Sequence, residues 1–158
     1  MKKKILKWGL ITAVVGLLIG GGIVLYLFNM PHRDVQSTPA DYIMNAQELV
    51  DEYLEDASKA NAKFLQEEGD SKIIAVTGTV ASIEENMNHE KVVLLMEKDG
   101  KAGVNCTFME NTNSNASALK IGQVTSIKGV IRAGASYDED MELYEDVIME
   151  KCDIYKKK

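Results

Sequence analysis

Two short segments share a design that few folds accommodate. Val76-Thr77-Gly78-Thr79-Val80 and Ile127-Lys128-Gly129-Val130-Ile131 each read as a strand with a glycine at its centre. Glycine has no side chain to pack and weakens a strand interior, so its presence at matching places in two strands points to sharp bends. A small sheet bent in this way coils and closes into a barrel. Residues 73–133, which hold both segments, are therefore expected to organise the chain.

Period-two patterns place five strands around these bends. Ile74, Val76, Gly78 and Val80 alternate along the first, which ends in a turn over residues 86–89. The second, 91–97, is apolar at consecutive positions 92–96 and is expected to be covered on both faces. Asp99-Gly100 marks a hairpin turn, and Val104, Cys106 and Phe108 alternate along the third strand, with Phe108 facing the core. A polar stretch and a short helix over 114–119 lead to the fourth strand at 124–132, and a fifth runs from about residue 143 to 154. Three strands, a helical connection and two further strands, with glycine kinks in the first and fourth, match the five-stranded OB-fold barrel. The fold class is mainly β with helices, and the barrel is expected over 72–155.

Ahead of the barrel, Ala46, Val50, Tyr53, Ala57, Ala60 and Phe64 recur at spacings of three and four, the stripe of an amphipathic helix expected over 45–68 and packed on the barrel. Asn45 with Glu48 has the form of a capping box. The opposite face, with Glu48, Asp51, Glu52, Glu55 and Asp56, reads as solvated. Residues 30–44, with Pro31 and Pro39, read as a linker. Residues 8–28 form an uncharged run, about 31 Å long as a helix, which is a membrane-spanning length. No A-x-A-like cleavage site follows it, so it reads as an uncleaved anchor. Residues 1–29 thus comprise cytoplasmic lysines (Lys2, Lys3, Lys4 and Lys7) and the anchor, and the positive-inside rule puts residue 30 onward on the outer side, periplasmic or extracellular. Gly9, Ala13, Gly16 and Gly20 share one face of that helix, and Gly16 and Gly20 offer a weak dimer contact.

Beyond the anchor lie 14 of the 18 basic residues and all 24 acidic ones. Such a balance repels phosphate backbones and disfavours nucleic acid as a partner. There is no nucleophile elbow, P-loop or HExxH, and His32 and His89 are too far apart in this layout to share a site. No enzyme activity, cofactor or metal is expected. The acidic run 138–146 fails the EF-hand test, because counting from Asp138 puts Leu143 and Met149 where glycine and glutamate are required, and it reads as a solvated loop. Cys106 and Cys152 fall on the third and fifth strands, which are neighbours in such a barrel. They form either a disulfide or a pair of buried free thiols. Turning Cys152 inward together with Val147 and Met149 requires a bulge near Glu150 and Lys151.

Residues 30–155 also resemble a small bacterial envelope family of tRNA-anticodon-binding-like OB proteins. The likeness is carried by Met30-Pro31-His32-Arg33, Ala60-Asn61-Ala62-Lys63-Phe64, Val76-Thr77-Gly78-Thr79-Val80, Val104-Asn105-Cys106-Thr107-Phe108, Leu119-Lys120-Ile121-Gly122-Gln123 and Cys152-Asp153-Ile154. Residues 66–71 depart from the pattern as an insertion. The resemblance implies the OB fold and carries over no established activity. OB barrels bind through the face of their second and third strands and the flanking loops. The ligand face expected here comprises Asn105, Thr107, Met109, Asn88, Tyr137, Asp138 and Asp140. The expected function is a membrane-tethered, non-catalytic module that binds an envelope protein or an oligosaccharide. Single-stranded nucleic-acid binding is the alternative, although neither a positive groove nor an aromatic platform is evident. An assembly role beside a membrane protein is the third reading.

Overall fold

The computed structural model describes residues 16, 17, 19–26, 34–65 and 71–156. The chain divides into two units, 1–33 and 34–158. In the first, residues 16, 17 and 19–26 are helical. Among the described residues no helix is long and apolar enough to cross a membrane. Most of the anchor expected over 8–28, with Gly9 and Ala13, lies outside them, as do His32 and residues 66–70 of the insertion expected over 66–71.

The second unit is a closed barrel. Strand β1 spans Tyr42–Asn45, β2 Ile73–Glu85, β3 Lys91–Leu95, β4 Val104–Phe108, β5 Val124–Ala133 and β8 Val147–Ile154. Neighbours run in the order β2-β3-β4-β8-β5 and back to β2, with β4 and β8 parallel and the other pairs antiparallel. The β5 irregularity falls at Gly129, whereas that of β2 falls between Val80 and Ser82, just past Gly78. A side chain at Gly78 would press on the Cβ atoms of Ala46 and Leu95 at 3.0 and 3.1 Å, and one at Gly129 would meet Cys152 Sγ at 2.7 Å. Opposite Gly129 the β5–β8 register slips between Val130–Glu150 and Lys128–Asp153, and Lys151 adopts φ 54°. This bulge, required by parity, turns Cys152 into the core with Val147 and Met149.

The helical stretch is two helices, α1 (Ala46–Glu55) and α2 (Ala57–Phe64). Asp56 breaks the continuous helix expected over 45–68: it takes extended backbone and accepts the Lys59 N–H at 3.0 Å as the cap of α2. The break leaves Ala57 exposed, although it shares the apolar spacing. Glu48 reaches back to the Asn45 N–H at 3.4 Å. The acidic face is only partly solvated, since Glu52 is bonded to Lys63 at 2.7 Å.

The expected linker is built into the domain over its described part. Lys128, 8 % exposed, donates to the carbonyls of Gln36 at 2.7 Å and Thr38 at 2.9 Å. Gln36 Nε2 donates to the Lys151 carbonyl at 2.6 Å, and β1 then adds in parallel to β2. Lys128→Met keeps the apolar stem and leaves two carbonyls without donors, so a loss of about 2 kcal/mol is expected. Faster amide exchange confined to residues 34–39 and their partners would show it.

Candidate ligand-binding site

On β3 and β4 the side chains of Val93, Leu95, Val104, Cys106 and Phe108 point inward and are buried. Val92, Leu94, Asn105 and Thr107 point outward and are half-buried. The second strand is thus covered on one face only: period-two geometry turns Val92 and Leu94 away from the core however apolar they are. The outward row is the open face of the barrel. Asn105 pairs with Leu94 and Thr107 with Val92 in the β3–β4 ladder.

At the end of this row near the start of β4, Asp146 accepts the Gly103 N–H at 2.7 Å and the Asn105 Nδ2 at 2.8 Å. It also divides the expected fifth strand, separating β8 from β7 (Leu143–Glu145). Strand β7 pairs with β6 (Ser136–Asp138), so the expected solvated loop is a hairpin with Tyr137 opposite Tyr144. The two rings lie 4.8 Å apart, and Lys101 Nζ stands 5.4 Å from the Tyr144 centroid. Ser136 and Glu145 hydrogen-bond across the hairpin. Asp138 Oδ1 accepts the N–H groups of Asp140 and Met141 at 2.9 Å, closing the turn.

Of the residues expected on the ligand face, Asn105, Thr107 and Met109 line up along β4 and its end. Tyr137, Asp138 and Asp140 sit on the hairpin, with Asp138 engaged in turn formation. Asn88 lies at the opposite end of the β3–β4 ladder, in the exposed 86–90 turn where its N–H donates to Asn86 Oδ1 at 2.9 Å. In that turn Lys91, and then His89, hold the Glu85 carboxylate down at a pKa of about 2. Tyr144, Lys101 and Tyr53 were missed. Their only sequence signal was Tyr137 just before the acidic run and Tyr144 within it.

A cavity of about 440 Å³ lies between α1 and the hairpin, walled by Tyr53, Leu54, Lys101, Ala135, Tyr137 and Tyr144 among others. Tyr53 is 2 % exposed, and its hydroxyl has no hydrogen-bond partner among the described residues. Burial, with the Glu52 charge second, pushes its pKa up to about 12. The native phenol keeps its proton where an unfolded tyrosine loses it, so this contribution to stability is complete below pH 10 and disappears between pH 10 and 12. An absorbance titration should show one tyrosine ionising about two pH units late, and that late step should vanish on Tyr53→Phe. A larger groove, about 880 Å³, runs beside Gln36, Asn115, Lys128 and Asp153, and the last two are already hydrogen-bonded within the domain. Lys128 meets two carbonyls, and Asp153 accepts from Asn115 at 2.7 Å.

Cys106 and Cys152 are adjacent, fully buried and free. Burial raises the Cys152 thiol well above its ordinary pKa, as does the Cys106 thiol beside it. Native protein should resist alkylation, and denatured, unreduced protein should gain two alkyl groups. An unchanged mass after denaturing alkylation would mean that the sulfurs are bonded.

A closed five-stranded barrel with parallel β4 and β8, irregularities in β2 and β5 and an open β3–β4 face defines an OB-fold protein. The chain belongs to the tRNA_anti-like family, whose model matches residues 1–146. No curated protein matches it. Among solved structures it is similar to a lipoprotein from Klebsiella pneumoniae subsp. pneumoniae described as a candidate nucleic acid-binding protein, at 16% identity and TM-score 0.52, over 80% of this chain and 100% of that one. At that identity the likeness shows the fold alone. Two OBodies bound to hen egg-white lysozyme align more weakly, each over 55% of this chain. One has 22% identity, TM-score 0.37 and 98% of its own length covered, and the other 21%, 0.38 and 84%.

Proposed function

We propose that this chain is a membrane-tethered, non-catalytic OB module whose barrel works on the outer side of the membrane and binds an oligosaccharide or another envelope protein. The observation that carries the reading is the open β3–β4 row, continuous through Asp146 with the tyrosine pair of the hairpin. The row joins half-buried apolar and amide side chains to the exposed aromatic surface of Tyr137. The uncharged run at 8–28 behind four lysines supports the tether and its orientation. The lipoprotein character of the Klebsiella chain is in keeping with that address.

A photo-cross-linker at Thr107 in intact cells tests the reading. Adducts with a glycan or an envelope protein are expected, and adducts with cytoplasmic proteins alone would overturn it. The nucleic-acid alternative draws on the description of the Klebsiella chain and on the aromatic pair. Against it stand Asp138, Glu139, Asp140, Glu142, Glu145 and Asp146 around that pair. Retention of single-stranded oligonucleotide that falls steeply with salt would favour it.

A further inference from the structure

We propose that the end of the barrel formed by residues 36–39, 115–128 and 153–158 docks on a membrane surface bearing anionic phospholipid headgroups, an inference that rests on the reading of the chain as membrane-tethered. Charge is the first reason. These segments hold Lys120, Lys128, Lys156, Lys157 and Lys158 against a single acid, Asp153, whereas the rest of the chain beyond residue 30 holds nine basic and 23 acidic residues. Asp153 is already engaged, accepting the Asn115 Nδ2 and the Ile154 N–H, each at 2.7 Å. Lys128 is buried, but Lys120 and Lys156 are exposed. An anionic surface attracts this end and repels the acidic remainder, the β6–β7 hairpin included, so both effects turn the domain the same way.

Apolar side chains at the same end supply the second reason. The chain reverses over 120–123, where the Gln123 N–H donates to the Lys120 carbonyl at 3.0 Å and Gly122 takes φ 83°, a conformation that glycine adopts freely. Two bonds pin this turn to Val80, from the Gly122 N–H at 2.8 Å and to the Gln123 carbonyl at 2.9 Å. A fixed turn thus presents Ile121, 71 % exposed, beside Lys120, and Val124, 65 % exposed, follows it. Exposed apolar side chains flanked by lysines are the composition with which peripheral segments enter the headgroup layer. Tyr155 and Lys156 line the adjoining groove. A single-stranded nucleic acid would also seek the lysines, but it needs aromatic platforms, and among the described residues of this groove Tyr155 is the one aromatic side chain.

The path of the chain supplies the third. Residues 29–33 separate the uncharged run from Asp34, which is about 20 Å of fully extended chain. Residues 36–39 then form one wall of the groove, held there by Lys128. The end that the tether reaches first is therefore the basic one. The β6–β7 hairpin precedes β8 and the groove follows it, so the length of that strand, about 25 Å, separates the two. Docking in this orientation leaves the hairpin and the β3–β4 row free for a ligand.

The test uses full-length protein reconstituted into phosphatidylcholine vesicles with and without phosphatidylglycerol, both containing lipid spin-labelled at the headgroup. A fluorophore is placed on Ile121→Cys or, as a control on the hairpin side, on Met141→Cys, while the buried Cys106 and Cys152 stay unlabelled. We expect the label at 121 to be quenched in vesicles with phosphatidylglycerol, to recover in high salt, and to be quenched little in phosphatidylcholine alone; the label at 141 should be quenched in neither. Replacing Lys156, Lys157 and Lys158 by glutamate should lower the docked-to-free ratio about tenfold through the loss of their attraction to headgroups, and arginine at the same positions should preserve it. Protein that alkali extracts from the vesicles overturns the tether and this proposal with it. Protein that stays in the vesicles without quenching at 121, or with equal quenching at 121 and 141, overturns the proposal alone and leaves the tether standing. Quenching that is as strong without phosphatidylglycerol overturns the assignment to anionic headgroups. A response of the 121 label to oligothymidylate in zwitterionic detergent, with none to lipid, overturns it in favour of nucleic acid.

Discussion

Phe64→Ala is expected to cost the domain about 4 kcal/mol, within the range for removing a fully buried aromatic ring. Phe64 and Ala60 are the only buried side chains of α2, so this ring attaches the helix to the rest of the fold. It meets Tyr42 edge-on at 5.5 Å and Tyr53 at 6.0 Å, and Lys63 covers it at 4.7 Å. Domains of this size have roughly 5–15 kcal/mol in total, so a large share of the folded population is at stake. Urea denaturation measures the loss, and amide exchange should show α2 losing protection first. A change under about 1 kcal/mol would mean that the ring's site collapses around the void.

Gly134→Ala is the second large effect. The added Cβ would clash with Cδ1 and Cε1 of Tyr53, a buried ring packed beside Phe64 with centroids 6.0 Å apart. A destabilisation of about 3 kcal/mol is expected, toward the upper end for overpacking a core. The same substitution on a Tyr53→Ala background should cost almost nothing, and that non-additivity identifies the ring as the obstacle. Additive costs would place the strain in the backbone at Gly134.

These two residues mark the boundary of what the sequence reveals. Phe64 was legible, because it closes a run of apolar residues at helical spacing. Gly134 was not: nothing local distinguishes it from a loop glycine, and its need to remain small comes from a ring more than eighty positions earlier in the chain. The barrel itself was legible from Gly78 and Gly129, and the inward turn of Cys152 from strand parity. Strand β1 was hidden because four residues pairing in parallel with a partner some thirty positions away leave no local period. The β6–β7 hairpin was masked by its acids, which occupy exposed positions and look like a loop, while Tyr137 and Tyr144 meet only once the turn closes. Lys101 reaches Tyr144 through tertiary placement alone.

The barrel is closed by its final strand, and this governs the order in which the chain can mature. Strand β8 lies between β4 and β5, and until it docks both present unpaired backbone along one edge. During synthesis β2 can therefore take up β3 and β5 early, but the seam waits until residues 147–154 have emerged. A chain interrupted before that point carries two open edges and an unsealed core. Proteolytic surveillance can then distinguish finished from unfinished molecules by one strand, before any ligand is bound.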